Sequence, residues 1–221
     1  MAQVDVENRS ISLKVVYYGP ARSGKTTNLV VLHELMNPAT RSEMVTLDTK
    51  DDRTLYFDFL PVEFEAAGGF TIKMKLFTVP GQVMHGSTRK VVLAGVDAVA
   101  FVADSQRSSA SANAYAWRDM VSNLSANGFD FEAIPKVVQF NKRDLPEIKP
   151  LADIREAWEG VPTVPAVATT GEGVLETFHA VLLELYRGLD GKHGFASGFS
   201  LSEQDFVKGV MRNFHETHSA T

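Results

Sequence analysis

Short apolar runs alternate with amphipathic stretches along most of the chain. Runs at 13–18, 54–64, 70–77, 97–103, 135–140 and 163–168 predict strands, and stretches at 25–36, 87–94, 110–127, 150–159 and 174–188 predict helices. This alternation is the signature of a parallel sheet flanked by helices, a three-layer α/β fold. Val99-Ala100-Phe101-Val102 and Val137-Val138-Gln139-Phe140 read as central strands buried on both faces. Only Glu65-Ala66-Ala67-Gly68-Gly69 separates the second and third runs. That is short enough for a hairpin, so one strand there runs antiparallel to an otherwise mostly parallel sheet.

Beyond the last of these helices, Gly188-Leu189-Asp190-Gly191-Lys192-His193-Gly194 reads as a helix stop and a linker. The chain therefore divides into a domain at 1–188 and a tail at 189–221. The tail carries its own helix pattern, with Ser202 as N-cap, Asp205 at N3, and Leu201 and Phe206 spaced as a hydrophobic staple. Phe206, Val207, Val210, Met211 and Phe214 form one apolar stripe. Packing on its own domain is favoured over binding a partner or a membrane surface.

The chemistry is concentrated at Gly19-Pro20-Ala21-Arg22-Ser23-Gly24-Lys25-Thr26, a complete G-x-x-x-x-G-K-[ST] loop between the first strand and the first helix. Such a loop turns backbone N–H groups onto phosphate oxygens, while Lys25 reaches the β- and γ-phosphates and the Thr26 hydroxyl ligates Mg²⁺. The candidate phosphate-binding residues are Gly19, Ala21, Arg22, Ser23, Gly24, Lys25, Thr26 and Thr27. A chance glycine-rich turn would not supply four fixed positions in a strand-turn-helix setting.

Composition narrows the remaining choices. With 221 residues, 44% apolar and 22% charged, the chain has the material for one good-sized core. A net charge of −5 and the lack of a basic tract disfavour nucleic acid or an anionic membrane as main partner. The chain has no cysteine, which excludes disulfides, thiol catalysis, Cys-based zinc sites and Cys lipidation; Ala2 excludes myristoylation. Neither the polar N-terminus nor any later run is long and apolar enough to span or insert into a membrane, so a cytoplasmic protein is expected.

Three further segments specify the nucleotide. Asn141-Lys142-Arg143-Asp144 directly follows the run 135–140. In an N-K-x-D loop the Asp144 carboxylate accepts from guanine N1–H and the 2-amino group, a donor pair that adenine lacks. Asn141 braces the loops, and the Lys142 stem covers the base. This placement at the C-terminal end of a later strand argues against a P-loop ATPase or kinase. Val167-Ala168-Thr169 ends the next strand, and the Ala168 N–H is expected to face the guanine O6. Pro80-Gly81-Gln82 follows the run 70–77; Gly81 N–H can meet the γ-phosphate, and Gln82 can orient an attacking water.

In this order and spacing the segments resemble the Ras-like small GTPases, and more closely the bacterial gliding-motility and cell-polarity branch, the MglA-type GTPases. The residues that carry the resemblance are Val16-Tyr17-Tyr18-Gly19-Pro20, Gly24-Lys25-Thr26-Thr27-Asn28-Leu29, Asp52 to Pro61, Thr78 to Val83, Phe101 to Gln106 and Asn141 to Pro146. The match covers about residues 10–188. The resemblance implies a P-loop, Ras-like fold that binds GTP or GDP with Mg²⁺ and hydrolyses GTP slowly. It implies two segments, about 37–55 and 80–90, that respond to the γ-phosphate. Thr54 would join Thr26 as a Mg²⁺ ligand, Arg53 would stabilise transition-state charge in cis, and Gln82 would position water. Implied partners are a roadblock-type GTPase-activating protein and polarity or motility effectors at the two segments, in the cytoplasm or at a cell pole.

Two positions depart from the Ras-like pattern. Thr78 stands where an Asp usually reaches Mg²⁺ through water; the same substitution is typical of the gliding-motility branch. Asp58, on the opposite strand face from Leu55, Phe57 and Phe59, is a candidate substitute in the metal shell, with a salt-bridged structural Asp as the alternative. Ala21 replaces the usual Gly where the loop approaches the γ-phosphate. A Cβ there intrudes on the space of the catalytic groups, and a penalty of only about 1.4 kcal/mol slows the reaction tenfold. Ala21 thus supports a rival reading, a persistently GTP-loaded scaffold with little turnover.

Overall fold

The computed structural model describes residues 2–5, 7–38, 43–47, 57–66, 69–80 and 86–214. The strands are β1 (Gln3–Asp5), β2 (Ser10–Tyr18), β3 (Val45–Leu47), β4 (Phe57–Ala66), β5 (Phe70–Thr78), β6 (Ala98–Asp104), β7 (Lys136–Asn141) and β8 (Thr163–Pro165). The helices are α1 (Lys25–Leu35), α2 (Gly86–Leu93), α3 (Ala110–Ala126), α4 (Leu151–Ala157), α5 (Val174–His193), α6 (Phe195–Phe199) and α7 (Glu203–Met211).

One sheet runs in the order β3-β4-β5-β2-β6-β7-β8, with β1 added to β2. Its core strands β5, β2, β6, β7 and β8 are parallel, and β4 alone on this path runs against its neighbours. This is the reversed strand expected from the hairpin. β1 pairs antiparallel with residues 10–12 of β2, along the edge that β6 reaches only from Val15 onward.

Central position follows from composition. β2 sends Ile11, Leu13, Val15 and Tyr17 into one core, and Val16 and Tyr18 into the other. β6 is buried at every position. Two apolar layers result, one with α1, α5 and α7 on one face, the other with α2, α3 and α4 on the opposite face. Parallel strands buried on both faces have all their C-terminal ends at one edge, where the following loops converge.

The structure corrects three sequence expectations. The helix predicted to stop at Gly188 continues to His193, because Leu185, Tyr186 and Leu189 extend its buried stripe. Gly188 is a point of close approach: a Cβ there would meet Pro135 Cγ at 2.9 Å. α5 thus takes up nearly all of the expected linker, and the short α6 follows it directly. β8 ends at Pro165, short of the expected 168, because the next amides leave the strand ladder: Val167 N–H goes to Glu172 O and Ala168 N–H to a side chain.

α7 begins as its sequence predicts, with Ser202 Oγ accepting from Asp205 N–H at 3.1 Å. Phe206, Val207 and Val210 are buried in the core shared with α1 and α5. Phe214 lies 5.4 Å from the Phe178 ring and 5.9 Å from Phe64. Asn37 N–H donates to Asn213 O at 2.8 Å, and Arg212 Nη2 donates to Glu65 O at 2.6 Å. The tail helix is therefore packed on its own domain.

Candidate nucleotide-binding site

Between β2 and α1 the chain must reverse within six residues, and Gly24 allows this with φ 103, in a region that L side chains rarely adopt. A Cβ at Gly24 would also lie 2.2 Å from Asn141 Nδ2, so the space is filled by another loop. Arg22 takes φ 60 without a glycine's freedom. Lys25 opens α1 and is buried, with its Nζ donating to Gly19 O at 3.1 Å and Pro20 O at 2.7 Å. Burial first, then the Arg89 guanidinium, lower its pKa to about 8, against the opposing pull of Asp58. Among the described residues this buried ammonium is bonded to loop carbonyls, a setting in which a phosphate anion would complement its charge.

Thr26 is exposed at the first turn of α1, and its Oγ1 donates to Asp58 Oδ2 at 2.5 Å. Thr78 Oγ1 also donates to Asp58 Oδ2, at 3.0 Å, and accepts from Asp58 N–H at 2.8 Å. Pairing of Phe59 with Phe77 fixes this register and puts Asp58 across from Thr78 on the buried side of the hairpin. Asp58 is 6% exposed. Thr78, one of the two departures noted in the sequence, and Asp58, its candidate substitute, are thus one cross-strand pair beside the phosphate loop.

A carboxylate next to a threonine hydroxyl is a hard-oxygen donor set of the kind Mg²⁺ takes when phosphates complete its shell. No cluster of three or more His, Cys, Asp or Glu able to hold a metal occurs among the described residues. The donors fit an ion shared with a nucleotide rather than one held by the protein alone. Arg53, Thr54, Gly81 and Gln82 lie outside the described residues.

The base-side loops are joined to the phosphate loop through one side chain. Asn141 ends β7; its Nδ2 donates to Ser23 O at 2.8 Å, and its Oδ1 accepts from Ala168 N–H at 2.8 Å. The Ala168 amide, expected to face a base, is thus directed to Asn141. Lys142 Nζ forms an ion pair with Asp104 Oδ2 at 2.7 Å. Asp104 in turn is bonded through its backbone to Asn113 of α3, which secures the end of β6. Asp144 is exposed and makes no hydrogen bond or ion pair among the described residues. Thr169 is also exposed, whereas Val167 and Ala168 are buried.

One buried cluster escaped the sequence reading. Arg89 of α2 binds Asp119 of α3 through Nε at 2.7 Å and Nη2 at 3.2 Å. Tyr18, the residue before the phosphate loop, donates its hydroxyl to the same carboxylate, and Asn123 Nδ2 donates to it at 3.0 Å. Burial and the Asp119 hydrogen bond push the Tyr18 pKa upward. Burial alone would lower the Arg89 pKa, but Asp119 and Tyr18 together outweigh that and raise it. Arg89, Tyr18, Ala21 and Tyr115 line a cavity of about 400 Å³ against the phosphate loop. The available signal was a lone Arg and a lone Asp on two amphipathic helices, which does not identify partners.

A mostly parallel sheet in this order, a phosphate loop after its central strand, and an N-K-x-D loop locked to it by Asn141 define a Ras-like P-loop GTPase fold. No protein-family model matches the chain. The mutual gliding-motility protein MglA of Myxococcus xanthus is 42% identical to it over 194 residues, spanning 85% of this chain and 100% of that protein. The chain belongs to the MglA family of small GTPases.

Proposed function

We propose that the chain is a GTP-binding molecular switch that hydrolyses GTP slowly and, in its GTP form, recruits machinery for cell polarity or gliding motility. The observation that carries this reading is Asn141, bonded at once to Ser23 O and Ala168 N–H. A phosphate subsite and a guanine-selecting loop held at a set separation suit one guanine nucleotide better than two unrelated ligands.

In this reading Gly19, Ala21, Arg22, Ser23, Gly24 and Thr27 line the phosphates, with Lys25 supplying a positive charge to the β- and γ-phosphates. Thr26, Thr54 and Asp58 hold Mg²⁺, which when bound neutralises phosphate charge. Asp144 reads the guanine edge, Lys142 covers the base, and Val167, Ala168 and Thr169 close its far side. Arg53 stabilises charge in the transition state, Gln82 orients water, and Gly81 meets the γ-phosphate. A roadblock-type activating protein and effectors engage segments 37–55 and 80–90. The protein acts in the cytoplasm or at a cell pole; among the described residues no helix is long and apolar enough to cross a membrane.

Ala21 favours a second reading, a GTP-loaded scaffold with little turnover, because the loop carries a Cβ where the catalytic groups must converge. Identification of the nucleotide that co-purifies, followed by single-turnover GTP hydrolysis with and without an activating protein, decides between the two. Binding of ATP in preference to GTP would sink both.

A further inference from the structure

Two consecutive carbonyls of the phosphate loop each accept from a side-chain amide. Ser23 O receives Asn141 Nδ2 at 2.8 Å, and Gly24 O receives Asn28 Nδ2 at 2.9 Å. Asn141 belongs to the N-K-x-D loop; Asn28 belongs to no nucleotide-contacting motif. It sits on α1 with 0% exposure and forms a reciprocal pair with Gln139 of β7: Asn28 Nδ2 to Gln139 Oε1, and Gln139 Nε2 to Asn28 Oδ1, both 2.8 Å. Gln139 Nε2 also donates to Thr177 Oγ1 of α5 at 2.9 Å, and Thr177 Oγ1 donates to Gly173 O at 2.6 Å. Gln139 and Thr177 are likewise 0% exposed.

An anion-binding loop turns its N–H groups inward, which sends its carbonyls back into the protein, where each needs a donor. Gln139 and Asn141 are two residues apart on β7 and share a face. The strand that carries the base loop therefore supplies, directly or through Asn28, a side-chain donor for each carbonyl, which at Gly24 O adds to the helical bond from Asn28 N–H at 3.0 Å. Core packing alone does not call for these side chains. A buried amide pair can be replaced by apolar groups of the same shape at little cost in stability.

We propose that Asn28, Gln139 and Thr177 are positioning residues for the nucleotide. They lock the Gly24 peptide with its carbonyl outward and its loop against β7, so that phosphate and base subsites keep one separation. A satisfied buried network of this kind limits a loop to a single arrangement. This inference rests on the guanine-nucleotide reading above.

The test is release of fluorescently labelled GDP from the full chain carrying Asn28→Leu and Gln139→Met, a volume-conserving apolar pair. The expected result is about tenfold faster release, with cooperative thermal unfolding retained and the preference for GDP over ADP unchanged. A merely structural role would leave the release rate of folded protein alone, whatever the unfolding midpoint. Folded double variant that releases GDP at the wild-type rate overturns the proposal. Should the double variant fail to fold, Thr177→Val decides. It keeps the shape and the amide pair, so release about threefold faster supports the proposal, and an unchanged rate overturns it. Wild type that binds no guanine nucleotide overturns the functional reading and this inference together; wild-type binding with unchanged release in the variants overturns only the inference.

Discussion

Thr26 Oγ1 and Asp58 Oδ2 lie 2.5 Å apart, joining the first turn of α1 to the start of β4. The same carboxylate accepts from Thr78, the residue that stands where Ras-like chains carry a metal-shell Asp. Asp58 therefore joins the first turn of α1 and both strands of the hairpin at one carboxylate beside the phosphate loop.

Asp58→Ala should raise the Mg²⁺ concentration needed to retain GTP by about tenfold or more, because it removes the one carboxylate of the donor set. Nucleotide dissociation measured across a Mg²⁺ titration checks this. If Asp58 only supports the hairpin, the variant will unfold more readily and show wild-type Mg²⁺ dependence.

Lys25 makes binding pH-dependent. Its ammonium is charged below about 8 and neutral between about 8 and the ordinary value of 10.5. Bound phosphate favours the charged form, so nucleotide binding takes up a proton in that window and affinity falls as pH rises through it. Calorimetry of GDP binding in two buffers of different ionisation enthalpy should show most of one proton taken up at about pH 8.5 and almost none at about pH 7. Equal uptake at both would show that Lys25 is already charged throughout.

Guanine selectivity should reside in Asp144, which is exposed and makes no bond among the described residues. Asp144→Asn removes a charged acceptor worth about 1.5–3 kcal/mol, enough to weaken GTP binding at least tenfold. Competition between GTP and ATP reads the result directly. Unchanged selectivity would place the base elsewhere.

Ala21→Gly should raise single-turnover GTP hydrolysis by roughly tenfold while leaving GTP affinity nearly unchanged, because the backbone amides that bind phosphate remain. Equal rates in the two proteins would mean that the methyl group is accommodated. The slow-turnover scaffold would then lose its support.

Phe214→Ala should destabilise the whole domain by about 3 kcal/mol, the lower end for a buried Phe that still has some exposure. Its ring meets Phe178 of α5 and Phe64 of β4, so the loss falls on the main core rather than on a detachable tail. Chemical denaturation of the GDP-bound protein measures it. A change within 0.5 kcal/mol, about the range of a surface substitution, would show that the tail packs only loosely.

Sequence alone determined what depends on local order. Near-continuous apolar runs placed β6 and β7 inside the sheet, since strands buried on both faces have no polar side to show. The phosphate loop was legible from fixed spacing, and the N-K-x-D loop from its position after a strand. Ser202 marked the start of α7 because a cap bonds within its own first turn.

Only the tertiary structure decided which distant side chains meet. Thr26 and Asp58 are 32 positions apart, Arg89 and Asp119 are 30, and Asn28 and Gln139 are 111. No periodicity spans such gaps, and a single buried polar residue in an apolar run does not reveal its partner. Gly188 misled for the same reason. Glycine ends helices by its own backbone freedom, but here the buried stripe Leu185, Tyr186 and Leu189 carries the helix past it, and Pro135 of another segment leaves no room for a Cβ at that position. Local signals report what a segment can do by itself, whereas cross-strand oxygen clusters, buried ion pairs and amide networks exist only once the sheet brings its strand ends and helices together.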